Sequence, residues 1–448
     1  MLDIKLFREN PDEIKEMLEK RNLSDLLAKV DDVLELDKVW KRSLNDANNL
    51  RAERNIYGRE VGRLKKAGED AREIIEKGTD VKNRINEMEI RLQEIDSTRF
   101  DMLKIFPNMI HPSVPVGMGE DDNVPIKWVG IPNVWSGDYN LFKKYNDGAT
   151  VEPNIIREKP PHHADIVVDY DLVELNAAVE NAGSRFVYEK DSLVDLDLAL
   201  ILFAYNKLRK KGFNSLIPPY LVRRHVEEGG TDLDVFSDVL YKIEGEDLYL
   251  IPTSEHPIAA MISKLNIREK ELPIRYVAFS PCFRREAGSH GKDTKGIFRV
   301  HQFHKIEEYS IAHPTASYDE FEFLRATSEE IAQDLGFPYR VVELCTEDMD
   351  KKAAKQYDIE GWFPGQGLYR ELTSTGNVTD WQARRLGIKY QARSTGNLEY
   401  AHTVYSTGIA VQRTMTCILE NNMQEDGSIK IPKVLKHFVP FDEIAPIY

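Results

Sequence analysis

The stretch FRREAGSHGKDTKGIFRVHQFHKIEE, residues 283–308, carries many charged residues of both signs, and its pattern is typical of a β-hairpin. Its turn, GSHGKDTKG, places three glycines and two lysines between two extended segments. Side chains alternate between the two faces of a strand, so Arg284 and Glu286 are predicted to share a face of the first strand. The stretch therefore indicates an antiparallel strand pair with one strongly charged face.

The second strand of this hairpin places Phe303, Lys305 and Glu307 on one face by the same alternation. The planar fork of Arg284 suits a phosphate group, because it donates two parallel hydrogen bonds. An aromatic ring suits a purine base, and a carboxylate suits an amine. The alternative is a solvated hairpin, whose surface ion pairs contribute about 0–1 kcal/mol each.

Composition sets limits on the protein as a whole. The 448 residues suggest two or three domains. With a net charge of −15, a nucleic-acid site has to be a local basic patch on an acidic body. The three cysteines form no CxxC pair and favour a reducing cytoplasm, and the sequence has neither a leader pattern nor an apolar run of membrane-spanning length.

The first 106 residues are predicted to form a helical hairpin domain. A seam of apolar residues steps by four and three positions through Val81, Ile85, Met88, Leu92 and Ile95. A looser version of the same pattern runs from residue 33 to residue 50, and the glycines between the two runs supply a break. We therefore expect two long helices, paired as an antiparallel coiled coil.

Residues 51–66, RAERNIYGREVGRLKK, carry six lysines or arginines and two glutamates. The arginines of this segment are Arg51, Arg54, Arg59 and Arg63. The local charge favours an arm that follows the phosphates of a nucleic acid. The alternative is an ordinary solvated coiled-coil surface.

Residues 107–448 alternate short strand-like runs with helices, which predicts an antiparallel α+β domain. The segment LYLIPTSEHP places Thr253 and Glu255 on one face of a predicted strand; the alternative is a strand end with a capping threonine. The segment STGIAVQRTMTCILENNM predicts a glycine-containing turn that leads into a helix. Neither GxGxxG nor GxxxxGK[ST] follows a strand, which argues against Rossmann and P-loop nucleotide sites.

Two further segments carry candidate site residues. In RELTSTGNVTD, Glu371 and Ser374 offer oxygen ligands to a hard cation, although the segment also suits a hydroxyl-rich turn. Arg413 lies on an otherwise apolar helix and is expected to be paired or bound to a ligand. The alternative is that its long side chain extends along the apolar surface to water.

Together these segments resemble a class II aminoacyl-tRNA synthetase, and within that class the seryl-tRNA synthetases. The resemblance covers nearly the whole chain and includes PNMIHPSVPVG, GFNSLIPPYLV, DWQARR and QEDGSIKIPKVL in family order. It implies motif 1 at about 205–222, motif 2 at about 276–308 and motif 3 at about 404–421. The implied domains are a tRNA-binding hairpin over residues 1–106 and a catalytic domain over residues 107–448, with motif 1 forming a homodimer interface.

The resemblance also implies roles for individual residues. The catalytic arginines, which contact the phosphates of ATP, are Arg284 and Arg413. The other ATP contacts implied are Glu286, Val300, Phe303, Glu371 and Ser374, of which Glu371 and Ser374 hold Mg²⁺. The serine contacts implied are Thr253, Glu255, Arg284, Glu307 and Thr407, and the tRNA contacts are Arg51, Arg54, Arg59 and Arg63. The sequence departs from the family at Tyr405, where motif 3 usually has asparagine.

The activity implied is ATP-dependent activation of L-serine and transfer of serine to tRNA(Ser), and to tRNA(Sec) where it is present. No ligand set matches the zinc of the family's atypical archaeal branch, so the resemblance is to the zinc-free type. Two rival interpretations stay open at this point. One is an enzyme of the same fold that activates an amino acid for a carrier protein, and the other is an inactive paralogue that binds RNA.

Overall fold

The structure is a computed structural model, and it describes residues 1–146, 148–231, 238–286 and 295–446. The predicted turn GSHGKDTKG lies largely outside these residues, since 287–294 are not described. The chain divides into two compact units, Met1–Pro107 and Asn108–Tyr448. No helix in the described part of the chain is both long and apolar enough to cross a membrane.

The first unit is helical. Its helices are α1 (Ile4–Glu9), α2 (Pro11–Lys20), α3 (Leu27–Ala67) and α4 (Arg72–Lys104). Leu50, Val81 and Ile85 form a buried cluster between α3 and α4, which confirms the predicted antiparallel hairpin. Of the glycines that were expected to supply the break, Gly68 does so, because its φ of 73° ends α3 in the left-handed conformation.

The second unit combines nine described helices with nineteen short and long strands. Its helices are α5 (Tyr139–Tyr145), α6 (His163–Asp169), α7 (Asn176–Asn181), α8 (Ser192–Lys210), α9 (Arg224–Gly230), α10 (Glu255–Ile262), α11 (Ser317–Leu335), α12 (Trp381–Leu386) and α13 (Val411–Asn421). Its strands are β1 (Val124–Val129), β2 (Asn133–Trp135), β3 (Asn154–Ile156), β4 (Val173–Glu174), β5 (Tyr188–Glu189), β6 (Asn214–Leu216), β7 (Leu221–Val222), β8 (Tyr249–Leu250), β9 (Ile267–Arg268), β10 (Ile274–Phe283), β11 (Gln302–Ala312), β12 (Tyr339–Glu343), β13 (Lys355–Phe363), β14 (Leu368–Thr379), β15 (Lys389–Gln391), β16 (Leu398–Tyr400), β17 (His402–Ala410), β18 (Ile429–Lys430) and β19 (Glu443–Ile444).

An eight-stranded sheet forms the centre of this unit, in the order β1-β12-β13-β14-β17-β11-β10-β6. Every neighbouring pair is antiparallel except β6 and β10. Helices α8, α11 and α13 pack against the sheet and bury its apolar side chains in one large core. The predicted antiparallel α+β domain is therefore confirmed.

Three local expectations are wrong. Glu255 begins helix α10 and does not share a strand face with Thr253. The Oγ1 of Thr253 instead accepts from the Glu255 N–H at 3.2 Å, while the N-cap residue of the helix is Ser254. Strand β10 ends at Phe283, so Arg284 and Glu286 follow the strand. The backbone of Glu286 has a φ of 49°, outside the extended range.

The third wrong expectation is the turn before the motif 3 helix. Strand β17 continues through Gly408 to Ala410 and leads directly into α13. Ile409 pairs with Ile306 on β11 and Thr407 pairs with Glu307, so Gly408 lies at a β-bulge within the strand and not in a turn. A Cβ at Gly408 would lie 3.1 Å from Leu208 Cδ1 on α8, so a close helix–strand approach explains this glycine.

Candidate active site

A cavity opens over the central strands β11, β14 and β17 and the start of α13. Seven of the residues predicted from the sequence line it: Arg284, Glu286, Val300, Phe303, Glu371, Thr407 and Arg413. They come from three segments that are far apart in the chain. The sheet order brings these segments together, because β11 and β14 both lie next to β17.

Arg284 is held at the mouth of the hairpin by backbone groups. Its N–H donates to the carbonyl of His301 at 2.9 Å, and its Nε donates to the carbonyl of Pro252 at 3.4 Å. The guanidinium lies 5.3 Å from the ring centroid of Phe303, within cation–π range. Arg284 and Phe303 therefore share the cavity wall as the sequence predicted, although Arg284 lies beyond the end of its strand.

Arg413 is paired, as its position on an apolar helix predicted. Its Nη1 lies 2.8 Å from Glu371 Oε2, and its guanidinium carbon lies 5.2 Å from the Phe298 ring centroid. Burial tends to raise the pKa of Glu371, but Arg413 outweighs it and holds that pKa below its ordinary value. The carboxylate is therefore ionised at neutral pH and remains available as an anionic oxygen ligand.

Glu286 forms an ion pair that the sequence reasoning missed. Arg299 Nη1 donates to Glu286 Oε2 at 2.9 Å, and both residues line the cavity. Arg299 lies on the irregular segment before β11, so strand alternation gave no signal for it.

Ser374 lies three residues beyond Glu371 on β14, and its hydroxyl accepts from Gln356 Nε2 at 2.9 Å. Asp358 on β13 is its partner in the strand register. Oxygen Oδ1 of Asp358 is buried and has no hydrogen-bond partner among the described residues. Burial raises the pKa of Asp358 well above its ordinary value, with a further contribution from Glu371. The Glu371 carboxylate and the Ser374 hydroxyl offer oxygens that fit a hard cation, whereas Asp358 has to lose its proton before it can act as a third ligand.

A second, enclosed group of polar side chains lies next to the cavity. Thr253 and Glu307 are both buried, and Lys305 Nζ donates to Thr253 Oγ1 at 2.7 Å. Lys305 also forms a close ion pair with Glu307, whose pKa is nevertheless raised by burial. The sequence placed Lys305 on this strand face but gave it no role.

Glu255 lies in the same enclosed group, at the first residue of helix α10. The ammonium of Lys352 donates to both of its oxygens, at 2.8 and 2.7 Å. Burial tends to raise the pKa of Glu255, but Lys352 outweighs it and the pKa is lowered. The sequence gave no signal for Lys352, because it lies between β12 and β13 in a segment without a recognisable pattern.

Motif 3 contributes Thr407 and Tyr405 from strand β17. Thr407 lies opposite Glu307 in the strand register, and Tyr405 lies opposite Tyr309. The Tyr405 hydroxyl donates to Asp350 Oδ2 at 2.9 Å. Thr407 thus lines the cavity, and Tyr405 is buried among the enclosed polar side chains.

The four predicted tRNA contacts lie on the distal half of α3, in the first unit. Arg54, Arg59 and Arg63 are exposed, and Arg51 is half-buried. Arg51 Nη2 donates to Glu89 on α4 at 2.8 Å, and Arg63 Nη2 donates to Glu60 at 2.8 Å.

One cluster of potential metal ligands lies away from these groups. It consists of His162, His163 and Glu420, and it is the one such cluster found among the described residues. Glu420 already accepts hydrogen bonds from the backbone N–H groups of His163 and Gly365 and from the Gln366 amide, at 2.8 to 3.1 Å. Its carboxylate therefore has protein donors on both oxygens.

Comparisons with known proteins identify the family. Residues 240–422 match the family model described as tRNA synthetase class II core domain (G, H, P, S and T), and residues 1–110 match Seryl-tRNA synthetase N-terminal domain. The curated serine–tRNA ligase of Pyrococcus furiosus is 48% identical over 447 residues, which cover 100% of this chain and 98% of that protein. The chain belongs to the seryl-tRNA synthetase family. It is a class II aminoacyl-tRNA synthetase and a ligase.

Solved structures of seryl-tRNA synthetases have the same fold. The seryl-tRNA synthetase of Pyrococcus horikoshii, solved in complex with ATP, is 47% identical, and each chain covers 100% of the other with a TM-score of 0.94. The cytoplasmic serine–tRNA ligase of Naegleria fowleri, solved in complex with AMP, is 34% identical and has a TM-score of 0.84, covering 100% of this chain and 99% of that one. The predicted class II fold with an N-terminal helical hairpin is confirmed.

Proposed function

We propose that the cavity binds ATP and the enclosed group binds L-serine, so that the enzyme forms seryl-adenylate and then charges tRNA(Ser). The observation that carries this proposal is the alignment of Arg284, Phe303, Glu371 and Arg413 along one cavity. The two guanidinium groups suit the phosphates of ATP, and the aromatic ring suits its base. The carboxylate suits the metal ion that ATP requires. The full-length serine–tRNA ligase relatives support the same activity.

The chemistry needs positioning and charge neutralisation. A carboxylate oxygen of serine attacks the α-phosphorus of ATP, and the bond from that phosphorus to the pyrophosphate oxygen breaks. Arg284 neutralises the α-phosphate and the serine carboxylate, and Arg413 the γ-phosphate, as charge redistributes. A ribose hydroxyl at the 3′ end of tRNA then attacks the carbonyl carbon, and AMP leaves as the ester forms.

In this proposal, adenine is bound by Phe303, Glu286 and the backbone near Val300. The Phe303 ring offers a stacking face. The carboxylate of Glu286 accepts from the exocyclic amine, and Arg299 fixes that carboxylate at 2.9 Å. Arg299 is therefore a positioning residue for Glu286 in this proposal.

Glu371 and Ser374 hold Mg²⁺ in this proposal, and the orphaned Oδ1 of Asp358 adds a third oxygen close to Ser374. A bound Mg²⁺ supplies further neutralisation of the phosphates. Arg413 keeps Glu371 ionised, which preserves the carboxylate as a ligand. This set contains neither sulfur nor nitrogen ligands, so it suits a hard cation better than zinc.

Serine is read by Thr253, Glu255, Arg284, Glu307 and Thr407 in this proposal. Arg284 binds the carboxylate of serine, and Glu255 with Thr253 binds its ammonium group. Glu307 and Thr407 are register partners, so they can approach the substrate hydroxyl from neighbouring strands. A buried site that bonds a hydroxyl rejects analogues without one, because its own polar groups are then left unpaired.

The helical hairpin binds tRNA through Arg51, Arg54, Arg59 and Arg63 in this proposal. These arginines follow one another along α3 on an otherwise acidic protein. Phosphate contacts by such side chains supply affinity that depends on salt. The domain at residues 1–106 then binds tRNA, and the domain at residues 107–448 catalyses the reaction.

A homodimer in the cytoplasm completes the proposal. Helix α8, which leads into motif 1, exposes Val194, Leu198 and Leu202 at four-residue spacing, with exposed fractions of 39%, 54% and 47%. Such an apolar stripe on one helix face is typical of an interaction surface. Cys282, Cys345 and Cys417 are buried free thiols, which suits a reducing compartment.

The deciding experiment is ATP–pyrophosphate exchange measured with each of the twenty amino acids, followed by aminoacylation of tRNA(Ser) transcripts. We expect exchange with serine that requires Mg²⁺ and charging of tRNA(Ser). Exchange without charging would favour the carrier-protein interpretation. The absence of exchange with every amino acid would favour an inactive paralogue.

A further inference from the structure

A group of four side chains lies at the inner end of the enclosed polar region: Lys352, Glu255, Asp350 and Tyr405. The ammonium of Lys352 lies 2.7 Å from Glu255 Oε2 and 3.8 Å from Asp350 Oδ2. The Tyr405 ring centroid lies 4.5 Å from the same ammonium, and the Tyr405 hydroxyl donates to Asp350 Oδ2 at 2.9 Å. Lys352 therefore contacts each of the other three members of this Lys352 group, and Tyr405 and Asp350 also contact each other.

Strand β14 is shaped to accept the ring of Tyr405. Gly376 on β14 is the register partner of Tyr405 on β17. A Cβ at Gly376 would lie 2.5 Å from the Cζ atom of the ring and 2.6 Å from its hydroxyl oxygen. The glycine therefore provides the room that the ring occupies, and a side chain there would displace Tyr405.

Three members of the Lys352 group are buried, and the fourth, Asp350, has a side chain that is 41% exposed. Lys352 is 8% exposed, Tyr405 is 5% exposed and Glu255 is 3% exposed. A buried ammonium without a partner is costly, so the bidentate contact with Glu255 confines both side chains. Gln382 also donates to Glu255, and Gln382 itself accepts from the Tyr309 and Thr403 hydroxyls at 3.0 Å.

The Lys352 group lies beside the residues that we assign to the serine side chain. Thr407 is two residues from Tyr405 on β17, so both side chains are on the same face of the sheet. Glu307 is the register partner of Thr407. Glu255 is tied to Thr253, since its N–H donates to Thr253 Oγ1 at 3.2 Å.

We propose that Lys352 is a specificity-determining residue, which locks Glu255 and Tyr405 into a rigid wall of the serine pocket that excludes threonine. This inference rests on the proposed serine activation. Threonine offers the same hydroxyl as serine, so it must be excluded by its extra methyl group. A soft apolar pocket resolves one methyl group by only about 10–200-fold, because its side chains yield. The Lys352–Glu255 ion pair lies against the Tyr405 ring, which packs on Gly376, so these side chains are less free to move.

The test compares serine and threonine as substrates of full-length variants. Lys352→Met keeps the length of the side chain and removes the charge that fixes Glu255. Tyr405→Asn keeps the Lys352–Glu255 ion pair and removes the ring. Lys355→Met is the matched control, because Lys355 belongs to the same segment but donates to Ser113 at 2.8 Å and lies 3.1 Å from Glu343. Folding of each variant is checked by circular dichroism and thermal melting.

In Lys352→Met and Tyr405→Asn, we expect the threonine-to-serine ratio of kcat/KM for exchange to rise about tenfold or more. The ratio in Lys355→Met stays at the wild-type value. A loss of stability alone would lower both activities without changing the ratio. The inference is overturned if folded Lys352→Met keeps the wild-type ratio, whatever Tyr405→Asn does. If Lys352→Met does not fold, a wild-type ratio in Tyr405→Asn overturns it. Failure of the proposed function has a different signature, since the wild-type enzyme itself would then show no exchange with serine.

Discussion

Arg413 on α13 and Glu371 on β14 form an ion pair, with Nη1 and Oε2 2.8 Å apart. Arg413 lies in the first turn of a helix that continues directly from strand β17. The position of the guanidinium is therefore set by the central sheet and not by a loop. In our proposal the pair brings a cation for phosphate and a carboxylate for Mg²⁺ into the same cavity, where Arg413 holds the pKa of Glu371 below its ordinary value.

Removing either of the arginines that we propose to bind phosphate is expected to abolish adenylate formation. In Arg284→Ala and Arg413→Ala, serine-dependent ATP–pyrophosphate exchange should fall by about 10³-fold or more, because each removes charge neutralisation at a transferring phosphate. Exchange kinetics on the purified variants measure the effect. The control is Arg393→Ala, which removes an exposed arginine of the same unit. Near-normal exchange by folded Arg413→Ala would disprove its assignment.

The basic segment of α3 is expected to serve tRNA binding and not adenylate formation. Arg54→Glu with Arg59→Glu should weaken tRNA binding and flatten its salt dependence, because log K changes by about 0.7–0.9 per phosphate contact for each decade of salt. Filter binding across a salt series measures both quantities. Serine-dependent exchange is the internal control and should be unchanged.

Arg51 and Arg63 provide a comparison within the same segment. Both are already bonded to glutamates, Glu89 and Glu60, at 2.8 Å. Reversing these two arginines also brings carboxylates together on the hairpin, so a melting experiment must accompany the binding assay. Unchanged tRNA affinity after all four reversals would return the segment to the solvated-surface interpretation.

Deleting the hairpin tests the division of labour between the two units. Replacing residues 25–106 by a short Gly/Ser bridge should leave serine-dependent exchange largely intact and abolish tRNA charging. The reason is that the cavity residues all belong to the unit Asn108–Tyr448. Loss of exchange in a folded deletion variant would contradict the separation.

The hydroxyl of Thr407 is expected to read the hydroxyl of serine. Thr407→Val is nearly isosteric, so it should lower kcat/KM for serine far more than for alanine and narrow the gap between them. Exchange with the two amino acids measures the ratio. Thr403→Val is a suitable comparison, since the Thr403 hydroxyl donates to Gln382 at 3.0 Å. A ratio that Thr407→Val leaves unchanged would mean that the hydroxyl is read by another group.

Glu308 is expected to make stability depend on pH. Burial raises the pKa of this carboxyl to about 8, although the Thr327 and Ser328 hydroxyls lower it in part. Between the unfolded pKa, about 4.3, and the folded pKa, the native state holds a proton that the unfolded chain has lost. The free energy of unfolding therefore falls as pH rises through this interval and then levels off.

Glu308→Gln should remove that part of the pH dependence. Between pH 5 and 8, the Tm of the variant should fall less than that of the wild type. Glu322→Gln, which changes an exposed glutamate of α11, is the control and should follow the wild-type curve. Parallel curves for Glu308→Gln and the wild type would mean that the folded protein tolerates the ionised carboxylate.

The apolar stripe of α8 is expected to lie in the homodimer interface. Leu198→Asp with Leu202→Asp places two charges on this stripe and should shift the enzyme from dimer to monomer. Sedimentation velocity measures the change. Leu398→Asp is the control, because Leu398 is 66% exposed on β16. A variant that stays dimeric with both charges in place would locate the interface elsewhere.

Much of the site was predictable because many of its residues lie in short, recognisable segments of the sequence. Arg284, Glu286 and Phe303 all belong to motif 2, so the family resemblance placed them together, although strand alternation was wrong for Arg284 and Glu286. Arg413 was predictable in another way, since a charged side chain on an apolar helix needs a partner. The partner itself, Glu371, lies 42 residues away in the sequence, and the sheet order decided the pairing.

Other site residues left no signal that the sequence reasoning could use. Lys352 lies between strands, and its contact with Glu255 spans 97 residues. Gly376 was not singled out from the sequence, and only its close approach to the Tyr405 ring shows why glycine is needed there. Arg299 precedes β11, which begins at Gln302, so strand alternation gave no signal for it.

The sequence by itself determined the helical hairpin, the antiparallel domain, the family and most of the residues that bind substrate in our proposal. These features depend on periodicity and on short motifs, which are local properties of the chain. The tertiary structure alone decided which charges are neighbours, because strands far apart in sequence meet in the order β14-β17-β11. That strand order decides which side chains pair, which are buried and where Gly376 leaves room for a ring. These features set the charge state and the rigidity of the site.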